Sequence, residues 1–411
     1  MKKESGPMIA TASRLEQISE YYFSAKLQEV RRLVAQGKDI INLGIGNPDL
    51  PPSPETIAVL GTAAREDGNH GYQPYRGIPE LRSAMAAWYR RTYGVTLDPD
   101  RQVLPLMGSK EGIFHIAMAF LNPGDEVLLP DPGYPGYTAA VRLAGGEARR
   151  YDLTEEKHWL PDLPALAKSD LSRVKLMWLN YPHMPTGALA AAGDFQRLVD
   201  FARERNILLC HDNPYSQILN PTPPLSILRT EGAMDVCLEL NSLSKSHNMA
   251  GWRVGMLLGR PDYLDAVIKV KSNLDSGMFR PLQLAAVQAL ENLPEWHQAQ
   301  NQRYRERREA VCRLLDLLGF TYPRQPSAGM FVWAKAPEDI LEVDRFLDEL
   351  LYEAGIFITP GKVFGRNGER YIRISVCQRR ARIEQAAERI RGGRFSRSIT
   401  QTALPGDNMK D

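Results

Sequence analysis

From residue 79 the chain alternates two periodicities. Amphipathic stretches with apolar residues every three to four positions read as helices at 79–94, 110–121, 135–144 and 194–206. Between them lie short runs that are apolar on both sides, at 102–107, 125–130, 174–180, 207–211, 235–241 and 254–259. Strands of that kind, separated by helices, predict a mostly parallel sheet covered on both faces. In such sheets, binding sites gather in the loops at the carboxyl ends of the strands.

After about residue 290 the texture changes. A long charged helix is predicted over 295–319, then a strand at 329–335, a helix at 342–355, a strand at 370–376 and a last helix to about Arg391. This predicts a second, smaller α/β unit. The first fifty residues are expected to join it, because "INLGIGNPD" precedes the main alternation. The expected organisation is an arm and part of the small domain at 1–51, a large domain at 52–290, the rest of the small domain at 291–392, and a disordered tail at 393–411.

Composition narrows the class. The chain has 411 residues, and its 43% apolar and 24% charged content is ordinary for a globular protein. The net charge of +2 gives no overall field for nucleic acid or an anionic membrane. Cys210, Cys237, Cys312 and Cys377 show no paired spacing, which favours a reducing, cytoplasmic compartment and no disulfide framework. The histidines lack HxxxH or HExxH spacing, so no metal site is expected. No run approaches the length of a membrane span.

Three loops carry candidate chemistry. In "NSLSKSHNMAGWRVG", Ser242, Ser244 and Lys245 follow a strand, and Arg253 comes eight residues after the lysine. A lysine desolvated beside a cation becomes a nucleophile toward carbonyls, and a guanidinium can hold a dianion bidentately. In "ILLCHDNPYSQI", Asp212 ends a strand and Tyr215 follows; a plain Asp-Asn-Pro turn is the competing reading. In "LMGSKEGIF", Gly108, Ser109 and Lys110 open a helix whose free N–H groups suit a phosphate. GxxxxGK[ST] is absent, and the GxGxxG of a dinucleotide site is incomplete.

A reactive lysine, a phosphate cradle, a buried acid and a phenol together suit pyridoxal 5′-phosphate (PLP). Over residues 20–391 the chain resembles the fold-type I PLP enzymes of the class I/II aminotransferase family, most closely in "SLSKSHNMAGWRVG". The resemblance implies a large domain with a seven-stranded sheet and a smaller domain formed by both termini. It makes Lys245 the Schiff-base lysine and proton shuttle, Asp212 the partner of the pyridinium nitrogen and Tyr215 a donor to the phenolic oxygen O3′. Ser242, Ser244 and Arg253 would hold the phosphate with the Gly108–Ser109–Lys110 turn, and Tyr134 would stack on the ring. Tyr72 would reach the phosphate of a neighbouring subunit, implying a homodimer with shared sites. Arg373, Gly46 and Asn180 would meet the substrate, Arg373 through its α-carboxylate. On the strand alone, Arg373 shares a polar face with Tyr371 and Ser375, which also suits an exposed charge.

One position departs from the family. In "NYPHMPTG", Met184 stands where the resemblance expects an asparagine amide on O3′, and His183 where a second asparagine is common. A thioether cannot donate to a phenolate. The expectation is a raised pKa for the lysine-linked cofactor, unless His183 turns inward and donates instead. The leading functional reading is a ping-pong aminotransferase moving an amino group from an amino acid to a 2-oxo acid. A PLP-dependent carbon–sulfur β-lyase is the alternative, and a non-catalytic PLP-sensing regulator is a third. Arg280, in "SNLDSGMFRPLQ", is a candidate for a distal substrate carboxylate or a surface charge.

Overall fold

The computed structural model describes residues 9–16, 18, 22–325 and 327–397. Its strands in chain order are β1 (Ile41–Asn42), β2 (Val103–Leu106), β3 (Glu126–Asp131), β4 (Glu147–Asp152), β5 (Val174–Leu179) and β6 (Leu208–Asp212). They continue as β7 (Cys237–Ser242), β8 (Gly255–Gly259), β9 (Phe331–Lys335), β10 (Ile356–Phe357), β11 (Thr359–Pro360) and β12 (Tyr371–Ser375).

Seven strands form one sheet in the order β2-β8-β7-β6-β5-β3-β4, and only β8 runs against its neighbours. The predicted apolar runs supply six of these strands. They are buried almost throughout, as expected for a sheet covered by helices on both faces. The seventh, β4, carries Glu147, Arg149, Arg150 and Asp152 and is half-exposed. It is an edge strand whose charges blunt further pairing, and its polarity hides it from a search for apolar runs.

The strand order places β5, β6 and β7 side by side at the centre of the sheet. Their carboxyl ends carry Asn180, Asp212 and Ser242, so three sequence-distant loops meet at one edge. The helix Ser109–Phe120 begins beside them. Gly255 on β8 touches the backbone of Gly108 and Ser109 so closely that no Cβ fits between.

Outside this sheet, β11, β12 and β9 form a three-stranded antiparallel sheet, and β1 pairs in parallel with β10. The amino-terminal segment therefore joins strands from the carboxyl-terminal part, which lies more than 300 residues away in sequence. The long helix Pro294–Leu318 connects the two regions. Asn301 bonds the backbone of Gln217 and Leu219 in the large-sheet region, and the helix's far end packs on the helix Arg380–Ile390.

The expectation of a disordered tail from residue 393 is corrected for residues 393–397. Phe395 is buried against Phe346, Arg394 pairs with Glu349, and the Arg397 amide bonds the Leu317 carbonyl. An aromatic anchor and two arginines hold these residues despite their polar, Gly-containing neighbourhood. The rest of that tail lies outside the described residues. Among the described residues, no helix is long and apolar enough to cross a membrane.

Candidate active site

A cavity of about 560 Å³ opens where the β5, β6 and β7 loops face the β1–β12 region. Lys245, Asp212, Tyr215, Tyr134, Asn180, Met184, Ser109, Lys110, Ser242, Ser244, Arg253, Gly46 and Arg373 all line it. Residues separated by more than 300 positions are thus brought together.

At one end lie the groups suited to an anion. Ser242 caps the short helix Leu243–Ser246, its Oγ accepting from the Ser244 amide at 3.1 Å. Arg253 adopts a left-handed backbone (φ 60°) unusual for a residue with a side chain. In that conformation its Nη1 reaches the Ala250 carbonyl at 2.9 Å and Ser244 Oγ at 3.5 Å. Gly108 lies beside the guanidinium and does not itself line the cavity; a Cβ there would overlap Arg253. The amino terminus of helix Ser109–Phe120 adds the positive end of its dipole, with no side-chain cap from Gly108. Burial and the neighbouring Arg253 both lower the Lys110 pKa.

At the centre, burial pushes the Asp212 carboxyl up to about 6, while a hydrogen bond from Tyr137 at 3.0 Å works against that rise. Asp212 Oδ1 is buried with no partner among the described residues. A buried carboxylate oxygen without a donor is costly, so this atom fits a ligand bearing a protonated nitrogen. Tyr137 escaped the sequence reading. It lies one helical turn after Tyr134 in "GYPGYT", stacked on Trp178 with centroids 4.7 Å apart. Burial holds its hydroxyl protonated, so it can only donate to Asp212. The tyrosine pair three apart at a helix start was the available signal.

Lys245 Nζ donates to the Gly46 carbonyl at 2.6 Å. Burial lowers its pKa, and Arg373 and Arg253 push in the same direction. The amine is therefore held closer to the neutral, nucleophilic form.

At the other end stands Arg373, 5% exposed on β12. Its guanidinium lies 3.9 Å from the centroid of Phe331, 4.6 Å from Phe364 and 5.3 Å from Phe23. Nη2 donates to the Gly44 carbonyl at 2.8 Å, and Nη1 approaches Met184 Sδ at 3.4 Å. An apolar cage around a planar cation strengthens its attraction for a carboxylate by excluding water. Asn180 braces the turn from beneath: its Nδ2 bonds the Asp212 carbonyl at 2.6 Å, and its Oδ1 accepts from the Met184 amide at 2.8 Å.

Besides Gly108, three further candidates fall outside the cavity. His183 is buried with Nδ1 on Thr186 Oγ1 at 2.8 Å, and burial pushes its pKa down to about 3. It is not a cavity-lining residue, so the exception in which it turns inward and donates in place of Met184 gains no support. Arg280 pairs with Glu80 at 3.1 Å. Tyr72 is 91% exposed.

A lysine after the seventh-strand turn, an orphaned acid in the cavity and an anion cradle on a mostly parallel sheet define a lysine-anchored PLP enzyme. The chain belongs to the aminotransferase class I and II family, whose model matches residues 38–390. It is 41% identical over 382 residues to LL-diaminopimelate aminotransferase of Dehalococcoides mccartyi strain BAV1, covering 93% of this chain and 98% of that one. The enzyme of the same name from Desulforudis audaxviator is 43% identical, covering 93% and 97%. Among solved structures, apo-BacF from Bacillus subtilis superposes with a TM-score of 0.89 at 38% identity, covering 93% and 98%. The protein is a PLP-dependent aminotransferase acting on small amino and 2-oxo acids. The β-lyase and regulator alternatives gain no support from these relatives.

Proposed function

We propose that the cavity divides its work between a cofactor end and a substrate end. The observation that carries this is the shared lining of one cavity by Lys245, Asp212 and Arg373. Ser242, Ser244, Arg253 and the Ser109–Lys110 amides hold the phosphate of PLP. Asp212 Oδ1 accepts from its ring nitrogen, Tyr215 donates to O3′, and Tyr134 covers the ring. Bound there, PLP supplies an electron sink for the bonding pair left when the substrate's α-proton departs. Lys245 takes that proton on Nζ and returns it to the adjacent carbon. Arg373 orients the substrate through its α-carboxylate, and the Phe23, Phe331 and Phe364 rings keep water from that contact.

The two 41–43% relatives support LL-diaminopimelate as the first amino donor to test. The exposure of Tyr72 supports its serving a second copy's phosphate site, hence a homodimer. Four free cysteines support a cytoplasmic setting. We also propose a large domain at 52–290 and a small one from 1–51 with 291–392, which the β1–β10 pairing supports.

A donor panel against 2-oxoglutarate and pyruvate, with Arg280→Ala alongside, tests the substrate reading. LL-diaminopimelate should give the highest kcat/KM. A preference for a neutral monocarboxylic donor would overturn it.

A further inference from the structure

Two backbone strips bracket the proposed carboxylate site. One runs from Leu43 to Asp49 and presents the Gly44 and Gly46 carbonyls to Arg373 and Lys245. The other is β12 and the two residues after it, from Arg373 to Cys377. They touch directly at the start of the first strip, where the Ser375 amide donates to the Leu43 carbonyl at 2.7 Å and Arg373 reaches the Gly44 carbonyl. At their far ends, the strips are joined by a residue belonging to neither.

Arg307, on the helix Pro294–Leu318, is 6% exposed. Its Nη1 and Nη2 grip Asp49 Oδ1 and Oδ2 at 2.7 and 3.0 Å, a bidentate pair. Nη1 also donates to the Cys377 carbonyl at 3.2 Å. One guanidinium therefore fixes the end of the Gly46 strip against the end of the Arg373 strip. The next residue, Arg308, bonds the Ser327 and Gly329 carbonyls just before Met330 and Phe331, so the same helical turn also steadies the approach to the arginine's cage. Neither Arg307 nor Asp49 lines the cavity.

We propose that Arg307 and Asp49 are a positioning pair that sets the spacing between Arg373 and the Gly44–Gly46 backbone, and so the site's affinity for carboxylates. This rests on the reading of Arg373 as the carboxylate anchor. A buried guanidinium stripped of its carboxylate draws on other partners and moves, and displacements near 1 Å are enough to weaken a preorganised site.

The test uses the PLP-loaded enzyme and a non-reacting monocarboxylate, propionate, titrated through the change it causes in cofactor absorbance. Asp49→Asn and Arg307→Lys should each raise the propionate Kd and the KM of both substrates roughly tenfold or more. Saturated kcat should stay within about threefold, and the ligand-free spectrum should not change. Asp49→Glu, which keeps the charge and is the variant least prone to misfolding, should fall between wild type and Asp49→Asn. Arg373→Lys serves as the reference. If it weakens propionate and the Asp49 and Arg307 variants bind it within twofold of wild type, the positioning role is wrong. A loss of kcat at unchanged KM would equally overturn it. If Arg373→Lys leaves propionate binding intact, the anchor reading itself fails.

Discussion

The thioether of Met184 lies 3.4 Å from Nη1 of Arg373, so the proposed carboxylate anchor meets sulfur where the family resemblance expects an amide. His183 does not make up the difference, because it does not line the cavity and its Nδ1 is engaged with Thr186 Oγ1. On the proposed reading, the cofactor's O3′ would be short of one donor. A hydrogen bond to a charged group is worth roughly 1.5–3 kcal/mol, or about 1–2 pKa units. Met184→Asn should therefore lower the spectroscopic pKa of the lysine-linked cofactor by about that amount, read by absorbance against pH. An equal or higher pKa in the variant would contradict this.

Tyr137 tunes the acid proposed to meet the ring nitrogen. Its hydrogen bond lowers an Asp212 pKa that burial has raised to about 6. In cofactor-stripped protein, Tyr137→Phe should raise that pKa further, by about one pH unit, read by NMR titration of the Asp212 carboxyl. An unmoved titration would remove the tyrosine from the account.

The same shift has a stability consequence with a definite sign. The folded-state pKa of Asp212 lies above the ordinary carboxyl value of 3.8, so ionisation is penalised in the fold. In cofactor-stripped protein, stability should fall as pH rises from about 4 to about 6. Asp212→Asn should remove that loss and stabilise the stripped protein at pH 8 by up to about 3 kcal/mol, with no gain below pH 4. Thermal melts at the two pH values check it.

Much of this site was legible because its chemistry sits in short loops directly after apolar strands. Lys245, Asp212 and the Ser109 turn could be read that way, and the parallel sheet explains why they meet. Tyr137 was only partly legible: the Tyr134–Tyr137 spacing at a helix start marks it, but its role depends on facing Asp212 across two elements. The cage around Arg373 was hidden for a similar reason: Phe23, Phe331 and Phe364 come from three distant segments and read singly as core residues. In the fold, β4 was missed because an edge strand needs charge rather than an apolar run.

The cage also explains a requirement for glycine at position 46. A Cβ there would overlap the Phe331 ring that stacks on Arg373. Gly46→Ala must displace that ring or the strip carrying the carbonyl that Lys245 contacts. Carboxylate affinity should fall by roughly tenfold or more, with the phosphate end undisturbed. Titration with propionate measures the first, and retention of PLP on dialysis the second.

The most direct test of the central claim is a single half-reaction. PLP-loaded enzyme is mixed with LL-diaminopimelate and no 2-oxo acid, and the cofactor's fate is followed by absorbance and chromatography. The account predicts one equivalent of pyridoxamine phosphate per site and then no further turnover, with Lys245→Ala failing to reach that point on the same timescale. Continuous release of ammonia without accumulation of pyridoxamine phosphate would contradict it.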